Sequence, residues 1–351
     1  MEFTSTHPEL SHAKPADWRS AGLSYHSLNF FHDKKFGGRV WKVSLDAGCT
    51  CPNRAGTLAT LGCIFCDPES FSPSCRLKLP RVADQLDEGI RRLTRRHGDR
   101  PDFRVSKNGT APSDARTAPR HEAMRFLAYF QPAANTYGPI GRLRAAFEEA
   151  LAHPQVVGLI IGTRPDCVSE EVLDLLADLA TRTWLVVEYG LQSVHDRTLD
   201  RLGRGHHFDA FLDAYRRTRQ RNLNIGVHVI LGLPDESRDD MLTTARTLAG
   251  LDLHSVKPHN LYAVRNTVLA KEVAAGTIRL PEFHEYVGYL VDFLVELPES
   301  FVIERLCGDA PREYLVGPQW CLDKAAVRAA VEAEFQRRGT WQGWRRRSIG
   351  S

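Results

Sequence analysis

An α/β architecture, with strands and helices alternating into a parallel sheet that curls toward a barrel, follows from three observations on the 351-residue sequence. Short apolar runs alternate with amphipathic stretches six times in succession. The apolar runs are mostly continuous, which marks strands covered on both faces and not the alternating strands of a half-solvated antiparallel sheet. The segments richest in chemistry-bearing side chains fall directly after strands, where parallel α/β folds keep their sites.

The strands are expected over Val40–Leu45, Phe126–Phe130, Val156–Ile161, Trp184–Val187, Ile225–Leu231 and Ser255–Lys257. The helical patterns that answer them, in the same order, are Val82–Leu93, Ile140–Leu151, Glu170–Leu179, Phe208–Arg219 and Asp239–Leu248. The last strand is followed by Leu269–Val273 and, after a break, Phe283–Leu294. Strand-to-strand crossovers through a helix are right-handed, so six such units turn the sheet around one axis.

At 42% hydrophobic and 25% charged the composition is that of a globular protein, which excludes a fibrous or wholly disordered chain. One α/β barrel takes roughly 250 residues, leaving room here for extensions and not for a second large domain. Residues 1–20 are expected to be a flexible terminus, 21–297 the core barrel with a flexible insertion at 97–121, and 298–351 a carboxyl-terminal extension with a basic tail. Lys and Arg exceed Asp and Glu by only +3, so any nucleic-acid contact must be local. No run approaches the ~18 apolar residues of a membrane span, and the first twenty residues lack the apolar core of a signal peptide. The expectation is a soluble, cytoplasmic protein.

Five of the eight cysteines cluster at Cys49, Cys51, Cys63, Cys66 and Cys75. In a reducing compartment such a cluster points to metal or redox chemistry. Three thiolates of one loop, Cys51, Cys63 and Cys66, can hold three irons of a [4Fe–4S] cluster and leave the fourth open to a cofactor or substrate. Cys49-x-Cys51 with Cys63-x-x-Cys66 also spells a structural zinc ribbon, so spacing leaves both readings standing. Growth of the loop out of the first strand favours the iron–sulfur reading. The rival function is a zinc-stapled α/β RNA-binding module without catalysis.

Tyr25-His-Ser-Leu-Asn-Phe, Phe36-Gly-Gly-Arg-Val-Trp-Lys-Val, Leu45-Asp-Ala-Gly-Cys-Thr-Cys-Pro-Asn-Arg and Gly62-Cys-Ile-Phe-Cys resemble the opening of the YhcC-like radical S-adenosylmethionine (radical SAM) proteins. The resemblance continues through Ala128-Tyr-Phe-Gln, Asn135-Thr-Tyr, Ile161-Gly-Thr-Arg-Pro-Asp-Cys, Glu188-Tyr-Gly-Leu-Gln-Ser, Arg204-Gly-His, His228-Val-Ile-Leu-Gly-Leu-Pro and Gly308-Asp-Ala-Pro, covering roughly residues 22–342. A more distant similarity links residues 161–312 to the radical SAM domain of the Elongator catalytic subunit.

The resemblance implies a partial (β/α)6 TIM-like barrel of the radical SAM type with a short carboxyl-terminal extension. It implies a [4Fe–4S] cluster on Cys51, Cys63 and Cys66, S-adenosylmethionine as cofactor, and a flavodoxin- or ferredoxin-like electron donor. The position of Cys49 is usually aromatic in the family. Phe65 would cover the cluster or lie by adenine, with plain loop packing as its ordinary role. Gln131, Asn135 and Thr136 would meet the methionine amine, though polar residues end any strand. Glu188 and Gln192 would take hydroxyl or amine groups. Arg204 would pair with the cofactor carboxylate, with His206 beside it in a turn. Thr163, Arg164 and Asp166 suit a turn held by its own ion pair as well as a functional role. His228 would contact substrate or cofactor. The Elongator similarity points to tRNA, and Arg337, Arg338, Arg345, Arg346 and Arg347 with Trp341 and Trp344 would be the RNA-contacting surface, against the plainer reading of a solvated basic tail.

Overall fold

The computed structural model describes residues 17–55, 62–97 and 124–349, so residues 1–16 and nearly all of the expected 97–121 insertion lie outside the described residues. The strands are β1 (Val40–Leu45), β2 (Arg125–Phe130), β3 (Val156–Thr163), β4 (Trp184–Gln192), β5 (Asn224–Leu231), β6 (Ser255–Asn260), β7 (Ala263–Val264), β8 (Val302–Ile303) and β9 (Leu315–Gly317). Ahead of the sheet stand α1 (Asp17–Ser20) and α2 (Leu28–Phe36), and the first crossover carries α3 (Pro68–Phe71), α4 (Pro73–Leu77) and α5 (Val82–His97). Then come α6 (Ile140–Leu151), α7 (Glu170–Ala180), α8 (Asp196–Arg201), α9 (Phe208–Gln220), α10 (Arg238–Ala249), α11 (Val268–Ala274), α12 (Phe283–Glu296) and α13 (Lys324–Arg338).

One parallel sheet in the order β1-β2-β3-β4-β5-β6-β8 forms the wall of a curled half-barrel, while β7 and β9 make a small antiparallel pair beside it. All six expected strands and their helices are present, with β1 and α6 bounded as the sequence pattern indicates. The outward residues of the strands meet Leu143 and Phe147 of α6, Leu173 and Leu176 of α7 and Leu290 and Leu294 of α12 in one continuous core. Ser169 and Ser237 cap α7 and α10 through their side-chain oxygens, the latter in a reciprocal box with Asp240.

Four features depart from the sequence reading. β4 continues through Gln192, because Glu188 and Tyr189 stay in the ladder with Gly162 and Thr163. The motif residues expected after the strand therefore lie on it. A seventh strand, β8, is only two residues long, too short for a periodic signal. Residues 17–20 are not loose: Trp18 is 1% exposed and its indole N–H donates to the Glu299 carbonyl at 3.0 Å. The carboxyl-terminal stretch is not an open basic tail either. Val327, Val331 and Phe335 of α13 join the main core. Arg337 is bound to Glu334 at 2.7 Å, Arg338 to Asp292 at 2.7 Å, and Arg345 to Glu296 at 2.7 Å. Arg19 lies 3.7 Å over the Trp341 ring, and Trp341 donates to Glu299. Glu334 of the same helix and Asp292 and Glu296 of α12 thus pair three of the arginines expected to meet RNA, while no ion pair holds Arg346 among the described residues; the Arg347 side chain lies outside the described residues. No helix among the described residues is long and apolar enough to cross a membrane.

Phe147 is fully buried with its ring edge-on to Phe130 at 5.0 Å. Phe147→Ala should cost about 3–5 kcal/mol in urea unfolding with an unchanged denaturant slope. A cost below about 1 kcal/mol would mean that α6 does not share the sheet's core.

Candidate active site

Successive strand residues point to opposite faces, so each strand contributes every second residue to the barrel interior. At the amino-terminal end these are Val40, Leu127, Tyr129 and Ile160, which with Phe36, Val157 and Trp184 form an apolar floor. Above it a cavity of about 940 Å³ opens toward the carboxyl ends of the strands. Its walls follow the same parity: Lys42 and Ser44, Tyr129 and Gln131, Glu188, Gly190 and Gln192, His228 and Ile230.

The lowest layer of the cavity is ionic. Lys257, 3% exposed, places Nζ 2.5 Å from Glu188 Oε2, 3.2 Å from Glu304 Oε2 and 3.0 Å from the Tyr129 hydroxyl. Lys42 Nζ lies 2.5 Å from Glu304 Oε2 and 3.4 Å from Glu188 Oε1. His228 Nε2 sits 2.6 Å from Glu188 Oε2. Two lysines and two glutamates thus balance inside the barrel. Burial alone would raise the Glu188 carboxyl, but Lys257, Lys42 and His228 outweigh it and hold its pKa well below the usual range. Burial and then Lys257 lower the His228 pKa, so a neutral ring donates to the carboxylate. Gly226 makes room for this layer: a Cβ there would stand 2.8 Å from Ser255 Oγ and 3.1 Å from Glu188 Cγ.

At the other end of the cavity stand the three thiols Cys51, Cys63 and Cys66. The loop is pinned by N–H donations from Arg54 and Ala55 to the Cys51 carbonyl at 2.8 and 2.9 Å, and by Cys66 N–H to Cys63 O at 3.0 Å. Arg204 Nη1 lies 3.3 Å and Asn53 Nδ2 3.4 Å from Cys63 Sγ, and Arg164 Nη1 lies 4.0 Å from Cys51 Sγ. Burial, then the neighbouring Cys63, push the Cys66 thiol up to about 12. Such a set needs compensating positive charge to ionise. Cys49 goes elsewhere: it packs on the hydrophobic core and its Sγ lies 3.6 Å from the place a Cβ on Gly138 would take. Cys75 lies by Asp46.

The remaining expected residues separate clearly. Phe65, Gln131, Gln192 and Arg204 line the cavity with the thiols. Gln192 sits at φ +78°, beside a register shift against β5, a conformation that turns its amide inward. Gly190 leaves space for it, since a Cβ would approach Gln192 Nε2 to 3.0 Å. Asn135 and Thr136 do not line the cavity. Asn135 Nδ2 donates to the Pro132 and Gly162 carbonyls, and Thr136 bonds Thr163 and the Cys167 carbonyl, so both tie β2 to β3. Glu188 faces the cavity, but both its oxygens are held by lysines. Arg164 unites the two readings of its segment, forming a fork with Asp166 at 2.8–2.9 Å while reaching Cys51. His206 Nε2 accepts from Arg204 Nη2 at 3.2 Å, and burial lowers its pKa to about 3. Sequence reasoning passed over Lys42, Lys257 and Glu304. A lysine inside an apolar parallel strand was the signal available for the first two.

A curled parallel sheet with a three-thiol loop at the carboxyl end of its first strand defines a radical SAM fold. The Radical SAM superfamily model matches residues 56–248 and the Radical_SAM C-terminal domain model residues 253–337, so the chain belongs to the radical SAM superfamily and is a radical SAM enzyme. Within it, the chain is 35% identical over 329 residues to YtqA of Bacillus subtilis, covering 94% of this chain and 95% of that one. It is 32% identical over 291 residues to YhcC of Escherichia coli, covering 82% and 84%. A tRNA uridine(34) acetyltransferase of Dehalococcoides mccartyi is 24% identical over 205 residues, covering 56% of this chain and 44% of that one. Among solved structures, the archaeal Methanocaldococcus infernus Elp3 superposes with a TM-score of 0.60 at 16% identity, covering 86% of this chain and 64% of that one. Membership of an enzyme superfamily overturns the alternative of a non-catalytic zinc module, and Cys49 stands apart from the ligand set that module requires.

The ionic layer makes a pH prediction. With its folded pKa depressed, Glu188 contributes stability above its ordinary value of 4.5 and loses it as pH falls toward the lower folded value. Glu188→Gln should be less stable at pH 7, and its deficit should shrink below pH 4.5 because only the wild type has that carboxylate to protonate. Parallel urea midpoints from pH 7 to pH 3 would remove Glu188 from the network.

Proposed function

We propose that Cys51, Cys63 and Cys66 hold a [4Fe–4S] cluster, and that S-adenosylmethionine binds between it and Gln131, Gln192 and Arg204, with Phe65 alongside. The carrying observation is that these three thiols share one end of the cavity with Arg204 and Asn53 donating to Cys63, while Cys49 is turned into the core. The donor set fits an anionic iron–sulfur group: N–H donors and guanidinium charge at thiolate sulfur are what stabilise such a cluster in a protein. The Arg204 Nε and Asn53 Oδ1 atoms are buried without a partner, which marks this end as incompletely satisfied.

When bound and reduced, the pair supplies a 5′-deoxyadenosyl radical able to take hydrogen from a substrate. The chain's own contributions are positional. Arg204 spends Nη1 on Cys63 and Nη2 on the Gly190 carbonyl and His206, which leaves its unpartnered Nε–H as the donor for a carboxylate. Gln192 offers an amide to a hydroxyl or amine. The apolar floor and the core beneath it exclude water from the closed end. His228 stands at the far side of the space, where a substrate would lie.

A tRNA substrate is the finer reading, supported by the similarity to the tRNA uridine(34) acetyltransferase. A flavodoxin- or ferredoxin-like electron donor and a cytoplasmic location suit an enzyme whose cysteines must stay reduced.

Anaerobic reconstitution should give about four irons per chain. Cys51→Ala, Cys63→Ala and Cys66→Ala should each abolish the visible absorbance, and Cys49→Ala should keep it. Gln192→Ala should retain the cluster and weaken S-adenosylmethionine binding about tenfold, the cost of one hydrogen bond to a charged or polar group. Stoichiometric zinc lost equally in all four cysteine variants would overturn the proposal.

A further inference from the structure

The Gly308-Asp-Ala-Pro segment has no part in the cluster or in the ionic layer. It follows β8 and borders the cavity on the β6 side, where Leu261 and Ala263 pack with Ile64 and Phe65 of the first-strand loop. Gly308 N–H donates to Asn260 Oδ1 at 2.9 Å, which fixes the turn. A Cβ at this glycine would stand 2.9 Å from His259 Nδ1, 3.0 Å from Tyr262 Cε1 and 3.5 Å from Arg305 Nη1. Three polar side chains therefore converge on a space that only the missing side chain keeps open. All three line the cavity.

None of the three is satisfied from within. Arg305 makes no ion pair and no hydrogen bond with a described residue: Glu304 is taken by Lys42 and Lys257, and Asp309 is held by Lys324 at 2.8 Å. His259 Nε2 is buried with no partner. Tyr262 has no hydrogen-bond partner among the described residues. A half-buried guanidinium without a counter-ion, beside an unsatisfied imidazole, lacks an anion. The surroundings indicate more than one negative charge. Arg76, Arg96 and Arg328 also border the cavity without a carboxylate partner among the described residues, although the whole chain carries only +3. Glu188, Glu304 and Asp309, the acids lining the same cavity, are already neutralised. A concave wall of one sign focuses its field on the opening.

We propose that Arg305, His259 and Tyr262 form a subsite for a phosphate group of the substrate, with Arg76 and Arg328 guiding the rest of a phosphate-bearing molecule into the mouth. The proposal rests on the radical SAM reading of this cavity and names the substrate class that the reading leaves open. The planar fork of Arg305 matches phosphate geometry, and a neutral histidine and a phenol add N–H and O–H donors to the same oxygens. Phosphate could arrive on a nucleotide-sized molecule or on a nucleic-acid chain.

The test is calorimetric titration of the anaerobically reconstituted full chain with inorganic pyrophosphate, adenosine monophosphate, unfractionated tRNA and succinate, at low and moderate salt. Wild type should bind pyrophosphate and discriminate against succinate. Arg305→Gln should weaken pyrophosphate at least tenfold, whereas Arg337→Gln, at the other end of α13 from the cavity-lining Arg328, should leave it unchanged. Gly308→Ala keeps every charge but fills the space and should also lose binding, so the result does not depend on the folding of one variant. Tighter binding of tRNA with a steep salt slope assigns the phosphate to a nucleic-acid chain; mononucleotide binding no weaker than tRNA assigns it to a small molecule. Equal affinity of wild type and both site variants, succinate binding as well as pyrophosphate, or no binding of any phosphate probe overturns the subsite. Cluster absorbance and reductive cleavage of S-adenosylmethionine are read on the same samples. Intact cleavage with no phosphate discrimination sinks the subsite alone, and phosphate binding without cluster or cleavage sinks the radical reading alone.

Discussion

The sheet runs from β1 to β8 without closing, and the lysine–glutamate layer is what spans its interior. Lys42 comes from β1, Glu188 from β4, Lys257 from β6, and Glu304 directly follows β8, so four charges tie the two edges and the middle of an open barrel. Among the described residues β1 and β8 do not pair across the seam, and β8 is bridged instead to Ser27, the residue before α2. Buried ion pairs contribute little net stability because desolvation offsets their attraction. Their unpaired alternatives are far worse, so few arrangements of these strands satisfy all four groups. The layer therefore acts chiefly on geometry, setting the curvature from which the cavity above it follows.

That layer also shows what the sequence concealed. Strand positions were legible because hydrophobic runs of parallel strands are conspicuous, and helices because their period is. Val40–Leu45 contains Lys42 on the parity of Val40 and Ser44, and Ser255–Lys257 ends in the other lysine. Each is an ordinary charged residue until the partner strand is known. Glu188 drew attention as a carboxylate after a strand, yet its partners are 146 and 69 residues away in sequence. A cofactor contact and an ion pair demand the same residue type at that place.

The thiol loop was more readable, since metal ligation imposes a local spacing that survives without three-dimensional context. Even there the fate of Cys49 depended on Gly138 and the core behind it. Asn135 and Thr136 were indistinguishable from ligands by type, because bridging two strand ends calls for the same short polar side chains as binding an amine. The arginine-rich carboxyl terminus was legible only in part. Glu334 stands beside its arginines in sequence, whereas Asp292 and Glu296 of α12 are seen as partners only once the helices are packed.

The barrel's emptiness is as much a product of sequence as its core. Interior positions on adjacent strands carry Gly190 and Gly226 where a filled barrel would place branched aliphatics. At Gly226 the room is used by Glu188, and at Gly190 by Gln192 and Arg204. Large polar side chains can fold back against the walls only because their neighbours are missing. The hollow therefore lies between an ionic layer that fixes strand spacing and a thiol loop that grows from the first strand, with an apolar floor sealing the end away from solvent.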